Sequence, residues 1–225
     1  MAPRSLLLPL LPLLPLLALS ASCSGPEDLT IGPASLPYAA VEEAVEELAQ
    51  AFPQFAPATL QGHLLEHGMG LATVLHHALP EESAAARAEA QAWADAVAAG
   101  EPFLDAFARW NEGRVPPARN DGLAQPNPAT LGARVAAAVA TMEPGDWRGP
   151  LRTAQGWELV HLAARSPGVR HRANVDLYRI VVLVGDEAAR DQASRDWATL
   201  PLSGNRELIL ALPLEFRRGR TTDQP

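Results

Sequence analysis

The chain has 225 residues, 48% hydrophobic and 20% charged, which is enough for one full core plus an extension. Its formal charge of -8 excludes a nucleic-acid partner, because nothing here would neutralise a phosphate backbone. The single cysteine excludes an internal disulfide in any compartment, and the 18 basic residues, all Arg, read as genome composition before function.

Met1 to Cys23 reads as an export signal. Arg4 supplies a short positive n-region, and Ser5 to Leu19 is a Leu-rich segment interrupted by Pro9, Pro12 and Pro15. It is too short for a spanning helix. Leu19-Ser20-Ala21-Ser22-Cys23 resembles a bacterial lipoprotein processing site, with Ser20 where that motif usually carries Leu. The resemblance implies a lipidated Cys23 and a periplasmic or membrane-anchored protein; cleavage after Ala21 or Ser22 is the alternative.

Residues 24–37, rich in Pro, Gly and Ser, are expected to be a linker. A helical segment over 38–70 follows, with helices predicted at Val41–Phe52 and Ala58–Gly70 from apolar residues at helical spacing. Within the second, His63-Leu64-Leu65-Glu66-His67 fits H-x-x-E-H, a zinc-peptidase motif that puts two imidazoles one turn apart with Glu66 as general base. The helix before it and the sequence after it do not suit that family. A surface helix with two histidines is the expectation, and a zinc peptidase the remote alternative.

The run from Ala72 to Leu79 is apolar apart from Thr73, His76 and His77, and its length suits a strand or a helix end. Glu81 to Ala99 is an Ala-rich helix closed by Gly100, and Pro102 to Trp110 continues helical. Asn111 to Pro128 is Pro, Gly, Asn and Arg, which means loop. Leu131 to Met142 returns to helix. A turn on Pro144-Gly145 then leads to a strand into Gly149-Pro150, a turn on Gly156 and an apolar strand. Beyond Ser166-Pro167-Gly168, Asp176 to Val184 predicts a strong strand and Asp186 to Ala198 a polar helix, an order that echoes His76 to Ala99. Arg206 to Phe216 is ambiguous, and 219–225 reads as a disordered tail.

From Leu75 to Leu162 this order resembles the parvulin-type peptidyl-prolyl isomerase domain, placed here at 71–165, with 166–218 as a C-terminal extension. The resemblance implies an α+β fold: a small antiparallel sheet surrounded by helices. It also implies an opening strand carrying His77-Ala78-Leu79, and a Phe-containing helix matched by Phe103-Leu104-Asp105-Ala106-Phe107. A loop turn at Asp121-Gly122-Leu123-Ala124 and a closing segment from Pro144-Gly145 to Gly156-Trp157 complete it. It assigns Leu123, Leu131 and Val135 to a proline-binding cup, with Thr153 beside them. Catalysis would fall to His77 with Glu112, one residue from where the family has Cys or Asp, and Glu158, which stands where the family has its second His. His161 cannot substitute, because three residues along a strand points to the other face.

The implied partners are unfolded or proline-containing exported polypeptides, and no cofactor is required. The implied activity is prolyl isomerisation, with an inactive chaperone or assembly module as the alternative. Without the resemblance, Leu123, Leu131 and Val135 would be core residues of any packed domain, His77 a core or edge histidine, and Glu158 an exposed strand residue.

Overall fold

The computed structural model describes residues 26–113, 122–123, 131–166 and 174–221, with side chains left aside at 122, 123, 166 and 174. Cys23 and the expected export signal lie outside the described residues, as does most of the loop expected from Asn111 to Pro128.

The chain first forms a tight hairpin, β1 (Leu29–Ile31) and β2 (Ala34–Leu36), which corrects the expected linker. Leu29, Ile31 and Leu36 point into the core, an alternation hidden by the surrounding Pro and Gly. Helix α1 (Tyr38–Ala51) buries Val41, Ala44, Val45 and Leu48, a stripe at helical spacing, and leaves its acidic face outward. Helix α2 (Pro57–Leu64) passes through a π turn at Leu65–Met69 directly into α3 (Gly70–Ala78).

Helix α3 occupies the stretch for which the resemblance predicted a strand, so His77-Ala78-Leu79 is a helix end. The residues from Ala72 to His76 are all buried, and a run buried on every side carries no period from which strand or helix could be told. A Cβ on Gly70 would lie 2.4 Å from the Trp197 ring, so only glycine lets this helix approach the C-terminal elements so closely.

Helix α4 (Pro80–Ala98) has proline in its first turn and a buried stripe of Ala86, Ala90, Ala94 and Val97. Helix α5 (Phe103–Asn111) buries Phe103, Ala106 and Trp110. After β3 (Gly122–Leu123) come α6 (Ala133–Ala140), β4 (Trp147–Arg152), β5 (Gly156–Ser166) and β6 (Asn174–Leu183). The chain then continues through α7 (Glu187–Thr199), β7 (Leu202–Gly204), α8 (Arg206–Ala211) and α9 (Leu214–Arg217).

Two antiparallel sheets result, β2-β1-β7 and β3-β6-β5-β4. The fold is therefore α+β. In the four-stranded sheet, β6 takes the middle position beside β5. Its Val175 and Leu177 enter the core under α6, while Ile180 and Val182 enter the core under α4. The β5 strand divides in the same way, with Val160 and Leu162 on the α6 side and Leu159 on the α4 side. A boundary at 165 would thus cut through a continuous sheet.

The tail is also built in as far as Thr221. Arg220 is buried and donates to the carbonyls of Leu200, Phe216 and Trp197, so the start of the segment read as disordered is a staple. Among the described residues no helix is long and apolar enough to cross a membrane.

Candidate active site

The β4–β5 turn is the origin of the site. Thr153 uses its backbone to close the turn, its amide donating to the Gly156 carbonyl at 2.8 Å. Its hydroxyl donates to Glu158 Oε1 at 2.7 Å and accepts from the amides of Gln155 and Gly156. Glu158 is 1% exposed and is the deepest carboxylate among the described residues. Its other oxygen, Oε2, accepts from Arg179 Nε at 2.9 Å and from Nη2. Arg179 comes from β6, two residues from Val181, the cross-strand partner of Glu158, so both side chains stand on the α6 side of the sheet.

Gly156 fixes the closeness of these strands. Its φ is +153°, and a Cβ there would sit 2.1 Å from the Val182 carbonyl.

Thr153 also reaches the opposite side. Its carbonyl can only accept, so His76 Nε2 carries the proton donated to it at 3.0 Å. Nδ1 of the neutral ring then accepts from the Ser83 hydroxyl at 2.6 Å. The ring of Trp157 stands edge-on to His76 at 5.4 Å and donates from Nε1 to the Ser83 carbonyl. One continuous chain of hydrogen bonds therefore runs from Ser83 through His76, Thr153 and Glu158 to Arg179. It crosses the sheet at one residue. On the α4 side it borders an open pocket of about 510 Å³ lined by His76, Pro80, Ser83, Arg87, Gln91 and Trp157.

Burial pushes the His76 imidazole down to about 4; the nearby Arg152 charge pushes the same way, against the Thr153 carbonyl. Its ordinary value in the unfolded chain is 6.5. Between those values the unfolded chain binds the proton and the folded one does not. Stability is therefore complete above 6.5 and falls as the pH drops toward 4, by at most about 1.4 kcal/mol per pH unit. Urea unfolding at pH 7.0 and 4.5 checks this: His76→Gln is expected to lose its share of the acid sensitivity.

The sequence-predicted residues fall in different places. Thr153 and Glu158 are joined. His77 is exposed on the last turn of α3, and its neighbour His76 is the histidine that reaches the turn. Glu112 is exposed just past the end of α5 and shares none of the bonds that link Thr153, Glu158 and Arg179. Leu131 and Val135 are 2% and 0% exposed and pack in the core between α6 and the sheet; the described pockets do not include them. Leu123 pairs with Val175 in β3, and its side chain lies outside the description. His161 stands on the other side of the sheet from Glu158, stacked on Phe103 at 5.1 Å.

Sequence reasoning missed His76, Ser83 and Arg179. For Arg179 there was a signal: Arg179-Ile180-Val181 repeats, with Arg for His, the polar-aliphatic-aliphatic pattern expected of the opening strand.

His63 and His67 do lie together, with ring centroids 4.4 Å apart, and Glu66 is 3.6 Å from His67. The π turn and non-helical angles at His67 and Gly68 disturb their helical spacing. No group of three His, Cys, Asp or Glu side chains suited to a metal occurs among the described residues. His63 instead lines an apolar cavity of about 550 Å³ with Phe52, Phe55, Leu60, Leu210 and Pro213. Burial, then the neighbouring His67, lowers its pKa.

Residues 72–171 match the family model described as the PPIC-type PPIASE domain, so this part of the chain is a parvulin-type domain. No curated protein and no solved structure matches the chain.

Proposed function

With a parvulin-type domain at residues 72–171 as the premise, we propose that this protein is a prolyl cis-trans isomerase and folding factor for exported polypeptides. The observation that carries the reading is the Thr153–Glu158–Arg179 chain. A buried carboxylate and a guanidinium take the place of the family's histidines. Rotation about X-Pro faces a barrier of about 20 kcal/mol, and each tenfold acceleration needs about 1.4 kcal/mol of preference for the twisted amide. Glu158 is too deep to touch a peptide. Its role is to orient Arg179, whose Nε and Nη2 it holds, leaving Nη1 to donate to the peptide carbonyl as the amide twists.

The test is isomerisation of a set of X-Pro tetrapeptides by the purified chain. A rate above the spontaneous one is expected, about tenfold lower in Thr153→Val, which removes the hydroxyl that fixes Glu158. No acceleration with any peptide sinks the enzyme reading. Action outside the cytoplasm and a lipid anchor on Cys23 belong to the same proposal. Incorporation of a labelled fatty acid in bacteria, lost in Cys23→Ser, checks the anchor.

A second reading, a non-catalytic client-holding module, is favoured by one feature. Three of the five exposed large hydrophobic residues among those described, Phe55, Leu210 and Leu214, lie at or beside the apolar cavity. A chain that suppresses aggregation of an unfolded polypeptide without accelerating isomerisation would support this reading over the first.

A further inference from the structure

The pocket on the α4 side has one cation in its wall, Arg87, and a second, Arg152, stands beside it, near enough to the lining His76 for its charge to act on that ring. Ser83, Arg87 and Gln91 are spaced four residues apart on α4 and line one wall. The Arg87 guanidinium lies 5.3 Å from the centre of the Trp157 ring and has no carboxylate partner among the described residues. Arg152 is the direct cross-strand partner of Trp157, so its side chain stands on the same face. It too has no carboxylate partner among the described residues, although burial lowers its pKa. Glu89, two residues on from Arg87, does not face it on the helix, and Glu82 is engaged elsewhere, accepting from the Gly185 amide at 3.1 Å.

In a protein of net charge -8, two guanidiniums around one indole are a local reversal of sign. A positive, partly enclosed cleft with apolar walls concentrates anions. Arginine over an aromatic face also holds its planar donors in place for a carboxylate.

We propose that this pocket is an anion-binding subsite for an acidic segment of a bound polypeptide, with Arg87 and Arg152 as its two arms and Trp157 as its floor. The subsite lies on the opposite face of the sheet from the Glu158–Arg179 pair. Its choice of a polypeptide over other anions rests on the isomerase and folding-factor reading. Clients would be gripped through carboxylates at a point separate from the proline.

The experiment is calorimetric titration of the purified chain at low salt with Ac-Ala-Glu-Ala-Glu-Ala-NH2 and with its Gln counterpart. The acidic peptide is expected to bind about tenfold or more tightly than the neutral one, and the difference to shrink in 0.5 M salt. Arg87→Gln and Arg152→Gln should each remove most of the preference, and Arg87→Glu should abolish it. Arg87 is exposed on its helix, so its variants are expected to fold. Equal binding of the two peptides, no binding of either, or an unchanged preference in both Gln variants overturns the proposal. Calorimetry reads binding without turnover. An inactive chain that still prefers the acidic peptide sinks only the isomerase reading, and an active chain with no preference sinks only this one.

Discussion

A fragment cut to residues 72–171 is expected to show no cooperative unfolding, whereas the whole chain is expected to unfold in a single transition. The family match ends before β6, yet β6 lies between β3 and β5 in the sheet. Removing it strips the inner edge of β5 of its partners from Gly156 to Ser166. It also removes Val175, Leu177, Ile180 and Val182, all at least nine-tenths buried. At about 1.5–3 kcal/mol for each buried aliphatic side chain, the loss is roughly 6–12 kcal/mol. Whole domains have about 5–15 kcal/mol of stability. Circular dichroism with urea titration checks the fragment, and Ile180→Asp in the whole chain tests the same contact without truncation. A fragment that unfolds sharply, or an Ile180→Asp chain as stable as the parent, would show that the domain closes its sheet in another way.

Glu158→Ala is expected to lower stability by about 3 kcal/mol and to abolish isomerisation. Breaking a buried ion pair from one side leaves the other charge uncompensated, at about 3–5 kcal/mol. The low end applies because the Arg179 side chain keeps 22% of its exposure and can turn toward water. Thr153 loses its acceptor at the same time. Glu158→Gln keeps an oxygen for Thr153 but not the charge that aligns Arg179, so it should fold better than Glu158→Ala and still be slow. The double change Glu158→Leu with Arg179→Leu removes both charges and is expected to recover most of the stability without recovering activity. Urea midpoints and tetrapeptide rates on this set separate folding from chemistry. Wild-type rates in Glu158→Gln and in the double variant would assign the pair to structure alone.

Several elements of this architecture could be read directly from the chain. Helices α1, α4 and α5 carry stripes at helical spacing with Pro, Gly or acidic residues at their ends, and β4 and β5 are framed by Pro144-Gly145, Gly149-Pro150 and Gly156. These signals are local. Backbone freedom and side-chain periodicity act over a few residues, so sequence alone determined them; Thr153 and Glu158 were each singled out from the chain, and the bond between them came from the fold.

What sequence could not decide was which apolar run would enter the middle of the sheet. Ala72 to Leu79 and Asn174 to Leu183 both offer a polar residue followed by aliphatics. The second supplies alternating side chains to two cores at once, through Val175 and Leu177 on one face and Ile180 and Val182 on the other. The first is buried from Ala72 to His76, with Gly70 closing on Trp197, and stays helical. Tertiary packing made that choice, because the advantage of a central strand comes from neighbours far away in the chain. That choice placed Arg179 on Glu158, and His76 in place of His77 on Thr153.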